Sequence, residues 1–560
     1  MDHLAAVPVR LAVVLAIAVN PWLIVRHFLP RSRDGVSLLA ASGATAVALC
    51  TAVAVALQGA GLPVTPASLA AAHWSLAAVL IIAAALRHLP IGCADPVRSF
   101  RVPLLLAAGF AIMVLPITHL AGIDTYKWQD LATSVRVEQR VAWLVHPLSL
   151  FGFTPRSYPS AQPLTLATIQ MLGGLGVDWG YFGMSVLSGG TGVFAACLLG
   201  RRLFGTESGA ACFAFLYAFS PVFVRYNHWA TGRGLFVALL PLFLLGLLDL
   251  PKLRAWLLTA GMAMLLLLSH KAALVAVGLI PLSLALAPFL PRSDRRWVPA
   301  ILVIPSVIAA VLISPTAGHA PAGAVLGFAG KCVTRFGWFV PAAGAALVFV
   351  PGWFSRPSWR RLVPAMLLTF PLAFHREMYG ALIALPFVTW AATEAVLGLV
   401  RARPSLALIA HRTTIALTAA AAIAIVMHRS LNATSHAVWR AAQFLEAYDP
   451  AGPYRIDGAG RARSQVQAYV SGCPRFNVNT SEDARIAIKR PPSGLGPLRE
   501  RFQAWSDYLR GWVAMTETDT DYYGRSPRVY TVIEGNGAPP AQARQIYAQE
   551  GVSIWEVRGR

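Results

Sequence analysis

Charge is scarce in this chain, and acidic charge is the scarcest. Only 13% of the 560 residues are Asp, Glu, Lys or Arg, whereas a typical soluble protein carries about 25%. With a mean hydropathy of +0.58, this deficit excludes a soluble fold for most of the chain. The 47 basic residues outnumber the 25 acidic ones, but they lie in short loops between apolar runs. That distribution argues against a nucleic-acid-binding surface and is typical of membrane orientation.

Other features that the sequence lacks exclude further classes of protein. The six cysteines show no metal-type spacing and lie mostly within or beside apolar runs, so we expect no disulfide framework. The sequence has no P-loop, no HExxH motif and no GxSxG motif on a strand–turn–helix. Nothing in it therefore indicates a nucleotide-driven pump. The first apolar run lacks an A-x-A-like cleavage site, and we expect it to be a membrane span rather than a signal peptide.

Long apolar runs are what the chain has instead. Runs of the length that a bilayer requires recur over residues 1–430, and they predict a mostly α, polytopic membrane helix bundle of about 13–14 spans. The candidate spans are 5–25, 37–58, 66–86, 102–121, 180–200, 207–224, 234–250, 254–269, 272–290, 297–315, 336–353, 361–374, 379–400 and 405–427.

Basic residues indicate the orientation. Alternate loops carry eighteen and six Lys or Arg residues, and the positive-inside rule assigns the richer set to the cytoplasm. The loop at 122–178, and everything after the last span, then face outward. This scheme requires that Leu164–Gly176 is not a span. Its length of about thirteen residues is typical of a re-entrant or interfacial segment, and we expect juxtamembrane helices in this loop.

The composition changes after about Val426, where acidic residues return. Residues 431–560 predict a small extracytoplasmic α/β domain. Within it we expect a helix at Ala437–Tyr448, strands at Val529–Glu534 and Val552–Val557, and a helix at Ala541–Glu550 between the two strands.

The first outer loop holds the main candidate for chemistry. Asp124 follows a long apolar segment, and a carboxylate at the membrane boundary could take a proton from a hydroxyl or hold a divalent metal. The structural alternative is a polar residue that ends a helix. Asp130 and Glu138 are further acids, but six residues separate Asp124 from Asp130, so the spacing shows no carboxylate pair.

Aromatic and cationic residues supply further candidates. Trp128 and Tyr158 could stack on a sugar, yet such residues also anchor interfacial helices. Arg225, His228 and Arg233 lie in a later outer loop, where they could bind a phosphate or contact lipid headgroups.

Cations also lie at the outer ends of spans, against the orientation bias. These are His270, Lys271 and Arg376. An anionic, lipid-linked phosphate would explain their place, and snorkelling to the outer headgroups is the alternative.

In their order along the chain, these features resemble the GT-C superfamily of polyprenyl-phosphate-sugar-dependent membrane glycosyltransferases. The resemblance covers about residues 100–430. It rests on Asp124 after an apolar segment, a long outer loop with Tyr158-Pro159, Gly173 to Gly176, LeuGlyArgArgLeuPheGly at 199–205, PheSerPro at 219–221, SerHisLysAla at 269–272, and Arg376 before a Leu-Pro span. The chain departs from the pattern in having three spans before the one that precedes Asp124, and in having His228 where many relatives place an acid.

The resemblance implies roles for particular residues. The catalytic acid lies in the first outer loop of that family, which points to Asp124 as the base. The donor phosphate is then assigned to Arg376, Lys271, His270 and Arg225. The acceptor or sugar is assigned to Trp128, Tyr158, His228 and Asp130.

The function expected is that of an inverting glycosyltransferase of the plasma (inner) membrane, with its active site and C-terminal domain on the extracytoplasmic side. Its partners would be a polyprenyl-phosphate sugar donor, a glycan, lipid or protein acceptor, and membrane lipids. No cofactor is required by the sequence, and a divalent metal such as Mg²⁺ or Mn²⁺ is left open. The alternatives are a transporter or flippase for a lipid-linked glycan, and a non-catalytic partner in cell-envelope assembly. A flippase should carry ionisable residues along a path near the membrane midplane.

Overall fold

The protein is described from a computed structural model. It describes residues 2–29, 34–87, 101–116, 118–144, 147–153, 157–250, 252–286, 308, 321–338, 357–373, 379–402, 404–450, 452, 454–458, 460–472, 528–535 and 537–558.

Helices make up most of this part of the chain. They are α1 (Asp2–Val14), α2 (Asn20–Phe28), α3 (Gly35–Gly59), α4 (Pro66–Leu86), α5 (Arg101–Met113), α6 (Ile123–Glu138), α7 (Ala161–Gly173), α8 (Val177–Phe204), α9 (Glu207–Ala218), α10 (Pro221–Asn227), α11 (Gly232–Leu248), α12 (Leu253–Ser269), α13 (Ala273–Leu286), α14 (Pro321–Phe336), α15 (Pro357–Leu372), α16 (Tyr379–Ala402), α17 (Ala407–Leu431), α18 (His436–Tyr448) and α19 (Gly460–Tyr469). A π-helical turn, Leu15–Val19, joins α1 to α2, and 3-10 turns lie at Pro147–Leu150 and Pro404–Leu406.

The prediction of a membrane helix bundle is confirmed. Among the described residues, six helices are long and apolar enough to cross a membrane, or seven if α9 and α10 form one span bent by 58°. Several apolar helices of 10–17 residues, such as α11 and α12, accompany them. The candidate span at 297–315 falls outside the described residues except for Ile308, and most of that at 336–353 also falls outside them.

The span predicted at 102–121 is wrong at its C-terminal end. Helix α5 stops at Met113, because Pro116 disfavours helical geometry at Leu115 and cannot donate to the helix ladder. Asp124 therefore does not follow the helix directly. It lies in the first turn of the next helix, α6.

Helix α8 organises the bundle. It packs against α3, α5, α9 and α11, and glycines let its neighbours approach closely. A Cβ at Gly192 would lie 2.6 Å from ring atoms of Phe223 on α10, whereas one at Gly190 would meet nothing within 4 Å. Gly192 thus sets how closely the broken α9–α10 element approaches α8.

Helix α7 lies inside the protein. It has 13 residues, and every residue from Ala161 to Leu172 is buried among α1, α3, α6 and α8. Its length agrees with the expectation that Leu164–Gly176 is too short to be a span. Its polar side chains find partners within the protein, as when Gln170 donates to Gln129 at 2.9 Å and Gln162 donates to the carbonyl of Ala230 at 2.7 Å.

A small sheet lies near the C-terminus, as predicted. Its strands are β1 (Arg455–Gly458), β2 (Arg528–Glu534), β3 (Ala543–Gln549) and β4 (Val552–Arg558), in the spatial order β1-β2-β4-β3. Strands β1 and β2 are parallel, and the other two pairings are antiparallel. The predictions of α18, β2 and β4 are confirmed.

The helix predicted at Ala541–Glu550 is wrong, because this segment forms β3. Gln549 pairs with Val552, which leaves Glu550 and Gly551 as a two-residue turn with φ of +49° and +77°. Positive φ at both turn positions is the geometry that joins tightly paired antiparallel strands. Pairing with β4 therefore overrides the helix-forming residues of this segment.

The glycine pair on α8 gives a test of this packing. We expect Gly192→Ala to destabilise the protein by about 1–3 kcal/mol through overpacking against Phe223. Gly190→Ala, facing open space, should stabilise it by about 0.5–1 kcal/mol through helix propensity. Thermal unfolding in lipid nanodiscs measures both. Equal stability of the two variants would contradict the contact.

Candidate active site

Asp124 lies at the start of α6, beyond an extended connection from α5. The residue that caps this helix is Gly122, whose φ of +95° suits glycine and whose lack of a side chain leaves α6 without a side-chain N-cap. A carboxylate in the first turn is stabilised by the positive end of the helix dipole. The positive end of the α6 dipole therefore lies beside the Asp124 carboxylate.

An ion pair holds this carboxylate. Asp124 Oδ2 lies 2.8 Å from Arg233 Nη1, with 47% of the Asp124 side chain and 24% of the Arg233 side chain exposed. Arg233 lies in the first turn of α11, where a helix dipole disfavours a cation. Asp124 offsets that cost, so the pair places opposite charges at the N-termini of two helices.

Two aromatic rings fix the guanidinium of Arg233. Its central carbon lies 5.5 Å from the ring centroid of Tyr226 and 5.4 Å from that of Tyr379. These distances suit cation–π attraction. Arg233 is therefore restrained on three sides, and its position restrains Asp124.

A cavity of about 570 Å³ opens beside the pair, a volume in the usual range for small-molecule sites. It is lined by Ala121, Gly122, Asp124, Thr125, Tyr126, Arg225, Tyr226, Thr231, Arg233, Ile425, His428, Arg429 and Asn432. Three of these residues are arginines and one is a carboxylate. The described wall therefore carries an excess of positive charge.

Arg225 and Arg429 account for that excess. Arg225 is an exposed residue in the last turn of α10, and its guanidinium lies 6.0 Å from the ring centroid of Tyr226. Arg429, near the end of α17, donates to the carbonyl of Ala121 at 2.9 Å and to the carbonyl of Arg225. On α14, Arg335 lies close enough to Arg225 for their charges to interact. An anion in the cavity would relieve this repulsion among cations.

The described residues do not suit a divalent cation here. Such ions take several oxygen ligands, whereas Asp124 is already paired with Arg233 and its neighbours on the wall are guanidinium groups. Among the described residues, no cluster of three or more His, Cys, Asp or Glu side chains could hold a metal. This donor set fits an anion.

Three of the residues singled out from sequence, Asp124, Arg225 and Arg233, come together on the cavity wall. His270 and Lys271 are not among the residues that line the described wall, although the charge of Arg233 acts on His270. The His270 ring is buried against Tyr379, 5.1 Å away between centroids. Burial lowers the pKa of His270 well below its ordinary value, so its imidazole is neutral at pH 7. Arg376 lies outside the described residues.

The residues assigned to the sugar or acceptor are all buried. Trp128 and Tyr158 pack against each other, with ring centroids 6.0 Å apart. Asp130 lies within α6, close enough to Tyr181 for its charge to act on that hydroxyl. Burial, with the charge of Arg429, lowers the pKa of His228 to about 3. None of these four residues lines the described cavity wall, and their roles stay predictions.

Sequence reasoning gave no role to Arg429 or Tyr226, and it offered Arg233 only as a possible phosphate ligand. The signal that singled out His270 and Arg376, a cation at the outer end of a span, applies equally to Arg429 at the end of α17. Arg233 belongs to the same outer loop as Arg225. What the sequence does not show is which of these cations faces Asp124.

Comparison with known proteins finds a likeness in fold. No family model matches the chain, and no curated protein matches it. Two solved structures of ArnT from Cupriavidus metallidurans, a GT-C family glycosyltransferase, are similar. The one bound to undecaprenyl phosphate has 12% identity and a TM-score of 0.43, covering 82% of this chain and 98% of that chain. The apo structure has 13% identity and a TM-score of 0.46, covering 81% and 97%.

At such low identity and TM-scores, this likeness assigns neither a family to the chain nor a role to any residue. The chemistry of the cavity has to be argued from the chain's own side chains.

The two partners of the ion pair should differ in what their loss costs. We expect Asp124→Asn to change the free energy of unfolding by less than about 1 kcal/mol, since 47% of the Asp124 side chain is exposed. Arg233→Gln should cost about 1–2 kcal/mol more, since it also removes the cation–π contacts with Tyr226 and Tyr379. Thermal unfolding of both variants and of the double variant in nanodiscs measures this. A loss of several kcal/mol in Asp124→Asn would instead make the pair a structural element.

Proposed function

We propose that this protein is a multi-pass membrane glycosyltransferase that uses a polyprenyl-phosphate-linked sugar. It transfers the sugar to a hydroxyl of a glycan, lipid or protein on the extracytoplasmic side. The observation that carries the proposal is the Asp124–Arg233 pair on the wall of a cationic cavity. A base and anion-binding groups thus share one space beside α17, a helix of membrane length.

The position of α17 supports a donor that arrives from the membrane. Ile425, His428 and Arg429 of this helix line the cavity, while only 11% of its most apolar window is buried in the protein. The rest of that surface suits lipid chains. A polyprenyl tail could lie along it while the phosphate reaches the arginines.

Asp124 is the proposed base. In the reaction, the acceptor oxygen attacks the anomeric carbon of the donor sugar, and the bond from that carbon to the phosphate oxygen breaks. The hydroxyl proton passes to the Asp124 carboxylate, and the bonding electrons leave with the phosphate. A single displacement of this kind inverts the anomeric configuration.

The arginines act on the charge that develops. A donor phosphodiester carries one negative charge, and the polyprenyl phosphate that leaves gains another. Arg225, with Arg429 near it, lies on the same wall as Asp124 and stabilises that increase most strongly in the transition state. Arg233 keeps the carboxylate oriented, since its own position is fixed by Tyr226 and Tyr379.

Loss of the base should abolish transfer. We expect Asp124→Asn to lower turnover by on the order of 10²–10⁴, the usual contribution of a general base. Asp249→Asn is the matched control, since Asp249 pairs with Arg202 away from the cavity. Release of polyprenyl phosphate and transfer of labelled sugar are measured in proteoliposomes with a panel of polyprenyl-phosphate sugars.

These measurements also separate the enzyme from its alternatives. A flippase or an assembly partner would release no polyprenyl phosphate in either variant. Full activity of Asp124→Asn would rule out the proposed base.

Loss of a cavity cation should weaken donor binding. We expect Arg225→Gln to weaken binding of C55 polyprenyl phosphate by about tenfold or more, since bonds to charged groups contribute about 1.5–3 kcal/mol. Arg201→Gln is the control, because Arg201 pairs with Asp34 and Glu207 instead. Native mass spectrometry of the lipid-bound protein measures the affinities. Equal loss in both variants would indicate a general charge effect.

A further inference from the structure

We infer that the C-terminal domain and the adjoining end of α17 form a clamp that positions the catalytic base, with Tyr469, Thr434 and Arg429 as positioning residues. They hold the segment Leu120–Gly122, which leads directly into the first turn of α6. The inference deepens the proposed function and rests on it wherever turnover is the readout.

The clamp binds backbone groups of the segment. The Leu120 N–H donates to Tyr469 Oη at 2.8 Å. The Leu120 carbonyl accepts from the N–H of Thr434 at 2.8 Å and from Thr434 Oγ1 at 3.0 Å. Ala121 forms an isolated antiparallel bridge with Ala433, and its carbonyl accepts from Arg429 Nη2.

All these partners come from distant sequence. Arg429 and Tyr469 lie 308 and 349 residues away from the groups that they bind. Gln465 also donates to Tyr126 Oη at 3.3 Å, so α19 contacts both the segment and α6. The C-terminal domain therefore holds the connection on both sides of Gly122.

Tyr469 joins the segment to a second fixed point. Its hydroxyl accepts from Leu120 and donates to Asp178 Oδ1 at 2.7 Å. The other oxygen of Asp178 lies 3.0 Å from His119 Nδ1. Burial and the charge of Asp178 raise the pKa of Tyr469 well above its ordinary range, so the hydroxyl keeps the proton that it donates.

The clamp acts together with two contacts of α6 itself, since Arg233 pairs with Asp124 and Tyr181 Oη donates to the carbonyl of Thr125 at 2.8 Å. Gly122 provides no side-chain cap, so the point at which the chain enters α6 depends on where the clamp holds Leu120 and Ala121. The position of Asp124 relative to Arg233 then depends on that entry point. Misplacement of a catalytic group by about 1 Å can cost on the order of 10² in rate.

The test compares two tyrosine variants. Tyr469→Phe removes the hydroxyl and keeps the ring. Tyr530→Phe is the matched control, because this buried tyrosine of the same domain bonds to Asp449 at 2.9 Å and not to the segment. Amide hydrogen exchange of the peptide 119–126 is measured by mass spectrometry in nanodiscs, together with kcat and donor KM.

We expect Tyr469→Phe to speed exchange in peptide 119–126 severalfold and to lower kcat about tenfold, with donor KM within twofold of the parent. Tyr530→Phe should leave both unchanged. A second pair of variants controls for misfolding. Thr434→Val should reproduce the effect, whereas Thr434→Ser, which keeps the hydroxyl, should not.

Two results overturn the inference. Unchanged exchange in Tyr469→Phe means that the hydroxyl does not hold the segment, and faster exchange with normal kcat means that the segment does not position the base. If the parent protein cleaves no donor, the proposed function fails. The exchange measurement then still decides whether the clamp exists.

Discussion

A peptide group beside a membrane has to find its hydrogen-bond partners within the protein, and this constraint shapes the site. At Leu120 and Ala121 the backbone is neither helical nor part of the sheet, so these residues lack the regular partners of a helix or a sheet. Besides Tyr126, whose hydroxyl donates to the Leu120 carbonyl, their partners come from Arg429, Thr434 and Tyr469. Residues from the C-terminal part of the chain therefore help to position the Asp124 carboxylate.

The same region concentrates positive charge where it would ordinarily be costly. Arg233 occupies the positive end of a helix dipole, and Arg225 and Arg429 lie near each other. Asp124 compensates one of them. Because a fixed, partly desolvated set of cations is already arranged, the phosphate of the proposed donor would meet little reorganisation. Repulsion among these cations would then become attraction for that donor.

The sequence predicts those parts of the site in which a residue or segment differs clearly from its neighbours in the chain. Asp124 and Arg225 stand out because ionised groups are rare in an apolar chain, and most of the membrane-length helices follow from uninterrupted apolar runs. The Asp124–Arg233 and Arg429–Ala121 contacts could not be predicted, because they join residues that only the tertiary structure brings together.

The hairpin formed by β3 and β4 shows that secondary structure, too, cannot always be predicted from the local sequence. Ala541–Glu550 is rich in residues that favour a helix, and local propensity gives way to pairing with Val552–Arg558. The burial of Trp128, Asp130, Tyr158 and His228 was likewise invisible. Their residue types suit a sugar site, but a residue type does not tell which way a side chain of α6 or its neighbours faces.

Arg429 joins the two halves of the proposed mechanism. It ends α17, whose outer surface suits the lipid tail of a donor, and it bonds to Ala121 in the segment before Asp124. A displacement of α17 by a bound tail would therefore move the guanidinium that binds the carbonyl of Ala121, and with it the start of α6. Donor binding and orientation of the base would then be linked through one guanidinium, since both depend on the position of the same helix end.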